Sequence, residues 1–272
     1  MRYLLSGNAL VWSACVGTLA CGGGSDAAGG AEVRVAVAAN FAGVHADLAE
    51  RFTERTGIAV RASTGSTGRL YAQIVNGAPF DVFLAADGAR PARLEAEGLA
   101  VPGSRFTYAE GRLALYAPAI GAGAVGVETL RAAGDPETAA GTRLAIANPR
   151  LAPYGEAARQ ALAALGLWEA FEDRIVMAEN IGQAFQFVES GAAELGLVAG
   201  SDVADRPAAG VWLVPADLYD PIRQDAVRIV AGGDTAAVRA YVEYLRGDEA
   251  RGLIETLAYD LPPRPEGGGL PR

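Results

Sequence analysis

Three places in this 272-residue chain bring small and polar residues to the point where a strand gives way to a helix. They are Ala38-Ala39-Asn40-Phe41, Thr64-Gly65-Ser66-Thr67-Gly68-Arg69 and Glu179-Asn180-Ile181-Gly182. The first turn of a helix leaves backbone N–H groups without intrahelical partners, and the aligned peptide dipoles make that end locally positive. Such an end holds an anion without help from an arginine or lysine. Asn40, Ser66 and Thr67 add neutral side-chain donors. One such start is ordinary, because Asn and Ser cap many helices. Several converging at strand C-termini lie where open α/β sheets bind ligands.

The elements that must position these segments are legible as alternating patterns. Val33–Ala38 is a strand candidate, followed by a helix over Phe41–Arg55 with Phe41, Val44, Leu48 and Phe52 at helical spacing and Asn40 placed to cap it. Ile58–Ser63 reads as a strand, Thr67–Val75 as a helix, Asp81–Ala86 as a strand, and Asp87 caps a helix reaching Glu97. The pattern restarts with strands at Arg112–Ala117 and Arg143–Ala147 and a helix over Glu156–Leu165. Ile175–Ala178 is extended, Ile181–Glu189 helical and Glu194–Val198 extended. Further strands at Val211–Val214 and Ala226–Ala231 lead to helices near Thr235–Leu245 and Glu249–Leu257. Such alternation predicts parallel sheets covered by helices on both faces, arranged as two α/β lobes with a cleft between them. No repeat of fixed period is visible.

Charge and cysteines narrow the function. The net charge is −9 and every basic residue is Arg. An acidic surface argues against a nucleic-acid partner and against long-range steering of an anion, so an anion site here must rely on local dipoles. The two cysteines, Cys15 and Cys21, both fall near the start, which leaves the remaining chain no internal disulfide, thiolate metal site or cysteine nucleophile. Residues 1–20 read as a secretory signal: Arg2, a short apolar run, then Thr18-Leu19-Ala20 before Cys21. Residues 21–30 are a Gly/Ser-rich tether. A cysteine between the two resembles the lipidation site of bacterial lipoproteins, although Thr18 stands where Leu is usual. The expected location is the periplasm or the outer face of a membrane, with attachment only through a lipid on Cys21.

Other chemistry finds little support. Gly121–Gly126 fits G-x-G-x-x-G, the basis of an alternative reading as a secreted nucleotide-dependent enzyme. Pro118 interrupts its entry, however, and Asn148 stands where the acidic partner is expected. Gly65-Ser66-Thr67-Gly68 lacks the lysine of a phosphate-binding loop, and no serine lies in G-x-S-x-G. His45 is the one histidine, expected on the surface of the first helix, so neither a Ser/His/Asp triad nor a histidine metal site has a centre. Arg69 is expected to face solvent, and Trp168 and Trp212 to lie in the core.

Longer stretches carry a resemblance. Val35–Phe41, Gly65–Ile74, Gly77–Asp87, Ala145–Pro149, Ala152–Gly155, Ala164–Trp168, Glu194–Val198 and Trp212–Pro215 together resemble the molybdate-binding proteins of ABC importers, in order across roughly residues 33–259. The resemblance implies a two-lobed periplasmic-binding-protein fold (type 2), each lobe a mostly parallel sheet flanked by helices and hinged around a central cleft. Residues 31–111 and 216–260 would form lobe I, residues 112–215 lobe II, and residues 261–272 a loose tail. It implies a binding protein rather than an enzyme, holding molybdate, and tungstate too, through Ala39, Asn40, Ser66, Thr67, Tyr154 and the N–H of Ile181. Some relatives place a Tyr where this chain has Ala199, and Tyr154 takes over that role. The implied partners are the oxyanion and a membrane permease, with the protein a monomer. No cofactor, and no metal beyond the oxyanion's own Mo or W, is expected. Sulfate or phosphate in the same fold is the nearest alternative.

Overall fold

The computed structural model describes residues 31–263, apart from 121–124, 138, 140, 207 and 209. Strand β1 (Glu32–Ala38) buries Val33, Val35, Ala36 and Val37 completely. A strand apolar on both faces is what a central position between two helix layers requires. It pairs in parallel with β2 (Ala59–Gly65) on one side and β3 (Val82–Leu84) on the other. Beyond β3 lie β10 (Ile222–Arg228) and then β4 (Phe106–Gly111), both pairings antiparallel. The first sheet is thus ordered β2-β1-β3-β10-β4.

The second sheet repeats this plan with β7 (Ile175–Ala178), β6 (Leu144–Ala147), β8 (Leu195–Ala199), β5 (Leu113–Tyr116) and β9 (Val211–Leu213), in that order. In both sheets four strands point one way and the fourth in order runs against them. The mostly parallel, helix-flanked sheets expected from the alternation are present. The chain crosses between them at Gly111-Arg112 and again between β9 and β10.

Helix α1 (Ala42–Thr56) shows how the sequence dictates packing. Phe41, Val44, Leu48 and Phe52 form one buried face against Tyr241 and Tyr244 of helix α8 (Ala236–Arg246), with the Phe52 and Tyr241 ring centroids 5.1 Å apart. Each such large side chain, fully buried, contributes about 1.5–3 kcal/mol. Gly57, in the left-handed region at φ 73°, ends the helix. Two expectations are corrected here. Asn40 does not cap α1, because a 3₁₀ turn over Ala39–Phe41 intervenes and no side chain caps either element. His45 is not on the surface: it is 2% exposed, with Nε2 2.8 Å from the Tyr241 hydroxyl. Burial lowers its pKa to about 4, so the ring is neutral. Trp168 and Trp212 are only partly buried and pack against the edge of the second core.

Candidate functional site

The parallel strands of both sheets end facing one another, and groups from the two sides bridge the gap. The Gly68 N–H donates to Leu151 O at 2.8 Å, and Arg90 Nη2 to Arg150 O at 3.1 Å. Ser201 Oγ donates to Asn40 O at 3.2 Å. Arg69 reaches Glu179 at 2.9 Å, and both side chains are more than half exposed. Gly68 permits this approach, since a Cβ there would stand 3.0 Å from Leu151 O. The cleft is therefore closed.

Inside it lie the expected residues, and Asn40, Ser66, Thr67, Tyr154 and Ile181 are all buried. Helix α2 (Thr67–Val75) follows β2 with only Ser66 between, and helix α7 (Ile181–Glu189) follows β7 with Glu179 and Asn180 between. The Asn180 side chain accepts the Gln183 N–H at 3.0 Å, leaving the N–H groups of Ile181 and Gly182 as the unsatisfied first turn. That turn faces the other sheet: a Cβ on Gly182 would lie 3.9 Å from that of Ala39. Thr67 Oγ1 accepts the Ala86 N–H at 3.1 Å, so its own proton is the part left to donate.

Tyr154 sits in the first turn of helix α5 (Pro153–Ala164), where Pro153 occupies a position that needs no N–H. Its hydroxyl accepts from Gln224 Nε2 at 3.2 Å and lies against Gly111, where a methyl group would overlap it. Burial holds the phenol pKa well above its ordinary value, so this group is a donor at every physiological pH. Asn40 is differently engaged. Its amide hydrogens go to Gln224 Oε1 at 2.9 Å and the Tyr259 hydroxyl at 3.1 Å, and Oδ1 has no partner among the described residues. The Asn40 side-chain donors are therefore both spent within the protein's own network.

The geometry is matched by kinship. A model of the family described as bacterial extracellular solute-binding protein fits residues 33–256. The molybdate-binding protein ModA of Azotobacter vinelandii is 48% identical over 259 residues, spanning 93% of this chain and 97% of that protein. ModA of Rhodobacter capsulatus is 42% identical over 232 residues, 84% of this chain and 88% of that protein. The chain is a bacterial extracellular solute-binding protein.

Solved structures agree. The Azotobacter vinelandii periplasmic molybdate-binding protein superposes with a TM-score of 0.78 at 40% identity, over 85% of this chain and all of that one. The sulfate-binding protein SubI of Mycobacterium tuberculosis, at 13% identity and a TM-score of 0.65, covering 85% of this chain and 87% of that one, shares the fold alone. Among relatives of this kind the enzyme reading falls away. Of its glycine pattern, residues 121–124 lie outside the described residues, and Gly126 merely leads into the short helix α4 (Val127–Gly134). Cys21 and residues 1–30 also lie outside them. No helix among the described residues is long and apolar enough to cross a membrane.

For this solute-binding protein, several residues of the cleft escaped the sequence reading. Gln224, Tyr108 and Tyr259 form the buried network behind Asn40 and Tyr154. Asp202 follows Ser201 on a 3₁₀ turn over Gly200–Val203. Its Oδ2 is buried without a partner among the described residues, and burial raises its pKa to about 7 against a backbone hydrogen bond from Ala199. A carboxylate therefore lies near the Tyr154 and Tyr259 hydroxyls. Its mouth, of about 220 Å³, is lined by Ser66, Arg69, Glu179 and Asn180. A larger cavity of about 610 Å³ brings Arg90, Arg105 and Arg223 together, but each is matched by a carboxylate, from Asp87, Asp225 and Glu110. Glu156 turns to Arg159.

Proposed function

We propose that this chain is the capture component of an ABC importer and binds molybdate, with tungstate as a close second, in the closed cleft. Residues 31–111 and 216–260 form one lobe, residues 112–215 the other, and hinging between them admits the ion. The donors are the N–H groups at Ala39 and Asn40, at Thr67 and at Ile181, together with the hydroxyls of Ser66, Thr67 and Tyr154. The observation that carries this reading is that the first turns of α2 and α5, one from each lobe, each carry a buried hydroxyl that already accepts a hydrogen bond and has its proton to donate. A fully deprotonated tetrahedral dianion asks for donors alone. No guanidinium is needed in such a site, and a buried fixed cation would add its own desolvation cost.

The protein works outside the cytoplasmic membrane, delivers its ion to a permease, and is tethered by a lipid on Cys21. Two acyl chains, at about 0.8 kcal/mol per buried CH₂, suffice for stable anchoring. Membrane fractionation of the wild type and Cys21→Ala tests the tether, and a wholly soluble wild type contradicts it. Calorimetric titration with molybdate, tungstate, sulfate and phosphate tests the ligand. Molybdate and tungstate should bind at least about a hundredfold tighter than sulfate, whose smaller size stretches two or more bonds worth roughly 1.5–3 kcal/mol each. Phosphate keeps a proton and needs an acceptor for it. Tight phosphate binding would give Asp202 that role and overturn the molybdate reading.

A further inference from the structure

Gln224 belongs to no helix start, yet it touches the groups the reading above relies on. It is 0% exposed, in β10 of the first sheet, and joins residues far away in sequence from both sides of the cleft. The strand pattern does not demand this. The ladder between β10 and β4 slips at Gln224/Asp225, and both side chains are buried in succession. Bulges commonly re-aim a side chain beside a functional site.

Its amide has a defined polarity. Oε1 accepts from Asn40 Nδ2 at 2.9 Å and Nε2 donates to the Tyr154 hydroxyl at 3.2 Å, while the Tyr108 hydroxyl divides its one proton between Oε1 at 3.0 Å and Ala85 O at 3.1 Å. Turning this amide alone would set its NH₂ against the NH₂ of Asn40, and the Asn40 amide is held in turn by the Tyr259 hydroxyl, which gives its proton to Asn40 O at 2.7 Å and so accepts from Nδ2. A hydroxyl has a single proton. Once its oxygen accepts from Gln224, the Tyr154 proton must point elsewhere, toward Tyr259 beside it or toward a ligand. A charged acceptor forms the stronger bond of the two. Thr67 has the same arrangement, with the Ala86 N–H in place of the glutamine.

We propose that Gln224 is a positioning residue for oxyanion recognition: it sets the polarity of the Tyr154 hydroxyl so that the tyrosine proton points at the bound ion. This rests on the reading that Tyr154 donates to molybdate. A residue that merely filled space beneath the cleft would weaken binding whether or not the tyrosine hydroxyl were there. A residue that acts through the hydroxyl has nothing left to act on once it is removed.

The test is a set of calorimetric titrations of the full chain with molybdate: wild type, Gln224→Met, Tyr154→Phe, Thr67→Val, and Gln224→Met combined with each of the other two. Gln224→Met should weaken binding about tenfold or more, the worth of one hydrogen bond to a charged group. In the Tyr154→Phe background it should cost less than about twofold, whereas with Thr67→Val the losses should multiply. Gln224→Glu guards against a Met variant that fails to fold. It keeps the size and an oxygen toward Asn40 and Tyr108 but puts a second acceptor in place of Nε2, which takes the tyrosine proton, so it should lose affinity at pH 8 at least as badly. A silent Gln224→Met, losses that multiply with Tyr154→Phe, or full affinity in Gln224→Glu overturns the proposal while leaving the ligand reading intact. A silent Tyr154→Phe removes Tyr154 from the site and the proposal with it. A wild type that binds no molybdate overturns both.

Discussion

The two halves of this molecule share one plan and execute it differently. Both sheets place their fourth strand in reverse, and both aim helix N-termini at the cleft. The first half offers Thr67, two residues after its strand ends, with the hydroxyl oriented by a main-chain N–H. The second offers Tyr154, seven residues after β6, seated over Gly111 and oriented by a side chain borrowed from the first sheet. A donor oriented by the backbone survives most substitutions around it. A donor oriented by a side chain, above a position that must be glycine, depends on both. The first half is preorganised by its own chain, whereas the second is completed only when the halves are assembled.

Gly111→Ala should break the comparison most severely. The added methyl occupies the place of the Tyr154 hydroxyl, and calorimetry should find molybdate affinity reduced by roughly a thousandfold, about 4 kcal/mol. The equivalent crowding in the first half has no counterpart, because Thr67 leans on main chain. Affinity within about tenfold of wild type would mean that the hydroxyl is not where the ion sits.

Each half also holds one titratable group against its ordinary charge, and the two have opposite signs. His45 has a folded pKa of about 4, below the unfolded value, so unfolding binds the proton first as pH falls. Its neutral burial therefore stabilises fully above pH 6.5, and up to about 3 kcal/mol is lost between 6.5 and 4. Asp202, raised to about 7, behaves in reverse: stability is lost as pH rises from 3.8 toward 7. Melting curves should find His45→Gln less sensitive than wild type to acid between pH 6.5 and 4. Asp202→Asn should melt higher than wild type at pH 8, with the gain gone near pH 4. A gain that persists undiminished at pH 4 would mean that charge is not its cause.

Next come the hydroxyls themselves. Tyr154→Phe and Thr67→Val should each weaken molybdate by about ten- to a hundredfold, one charge-assisted hydrogen bond apiece. If only one matters, the other half contributes backbone donors alone. Smallest is Arg69→Ala. This exposed pair with Glu179 spans the mouth of the cleft and should cost less than about 1 kcal/mol, less still in high salt. A hundredfold loss would make Arg69 a ligand.

Much of the scaffold was legible because it follows from local pattern. The helices at Thr67–Val75 and Ile181–Glu189 and the strand at Ile175–Ala178 have the very ends that periodicity and turn residues suggest. Strand β4 was missed, since Phe106–Gly111 alternates poorly and is defined by pairing with β10 more than a hundred residues away. His45 was misread from its residue type, although its spacing from Phe41 and Leu48 puts it on the buried stripe. The helix starts were legible for the same local reason. Gln224 and Tyr259 were not, because their partner Asn40 lies 184 and 219 residues distant. Asp202 was not legible because the turn after β8 meets the first half only in the fold, where Ser201 reaches Asn40 O and the Tyr259 hydroxyl. The strand plan repeats between halves without any sequence period, so only the assembled sheets reveal it.

On the reading proposed above, neutral donors from both halves hold the ion. A crystal structure of the molybdate complex, with molybdenum located by its anomalous signal, tests it most directly. The metal should lie between Thr67 and Tyr154, its oxygens within about 3.2 Å of those hydroxyls and of N–H groups near Ala39 and Ile181, with no guanidinium in that shell. Molybdenum in the arginine-lined cavity beside Asp87 and Asp225, or an arginine bonded to the oxyanion, would contradict it.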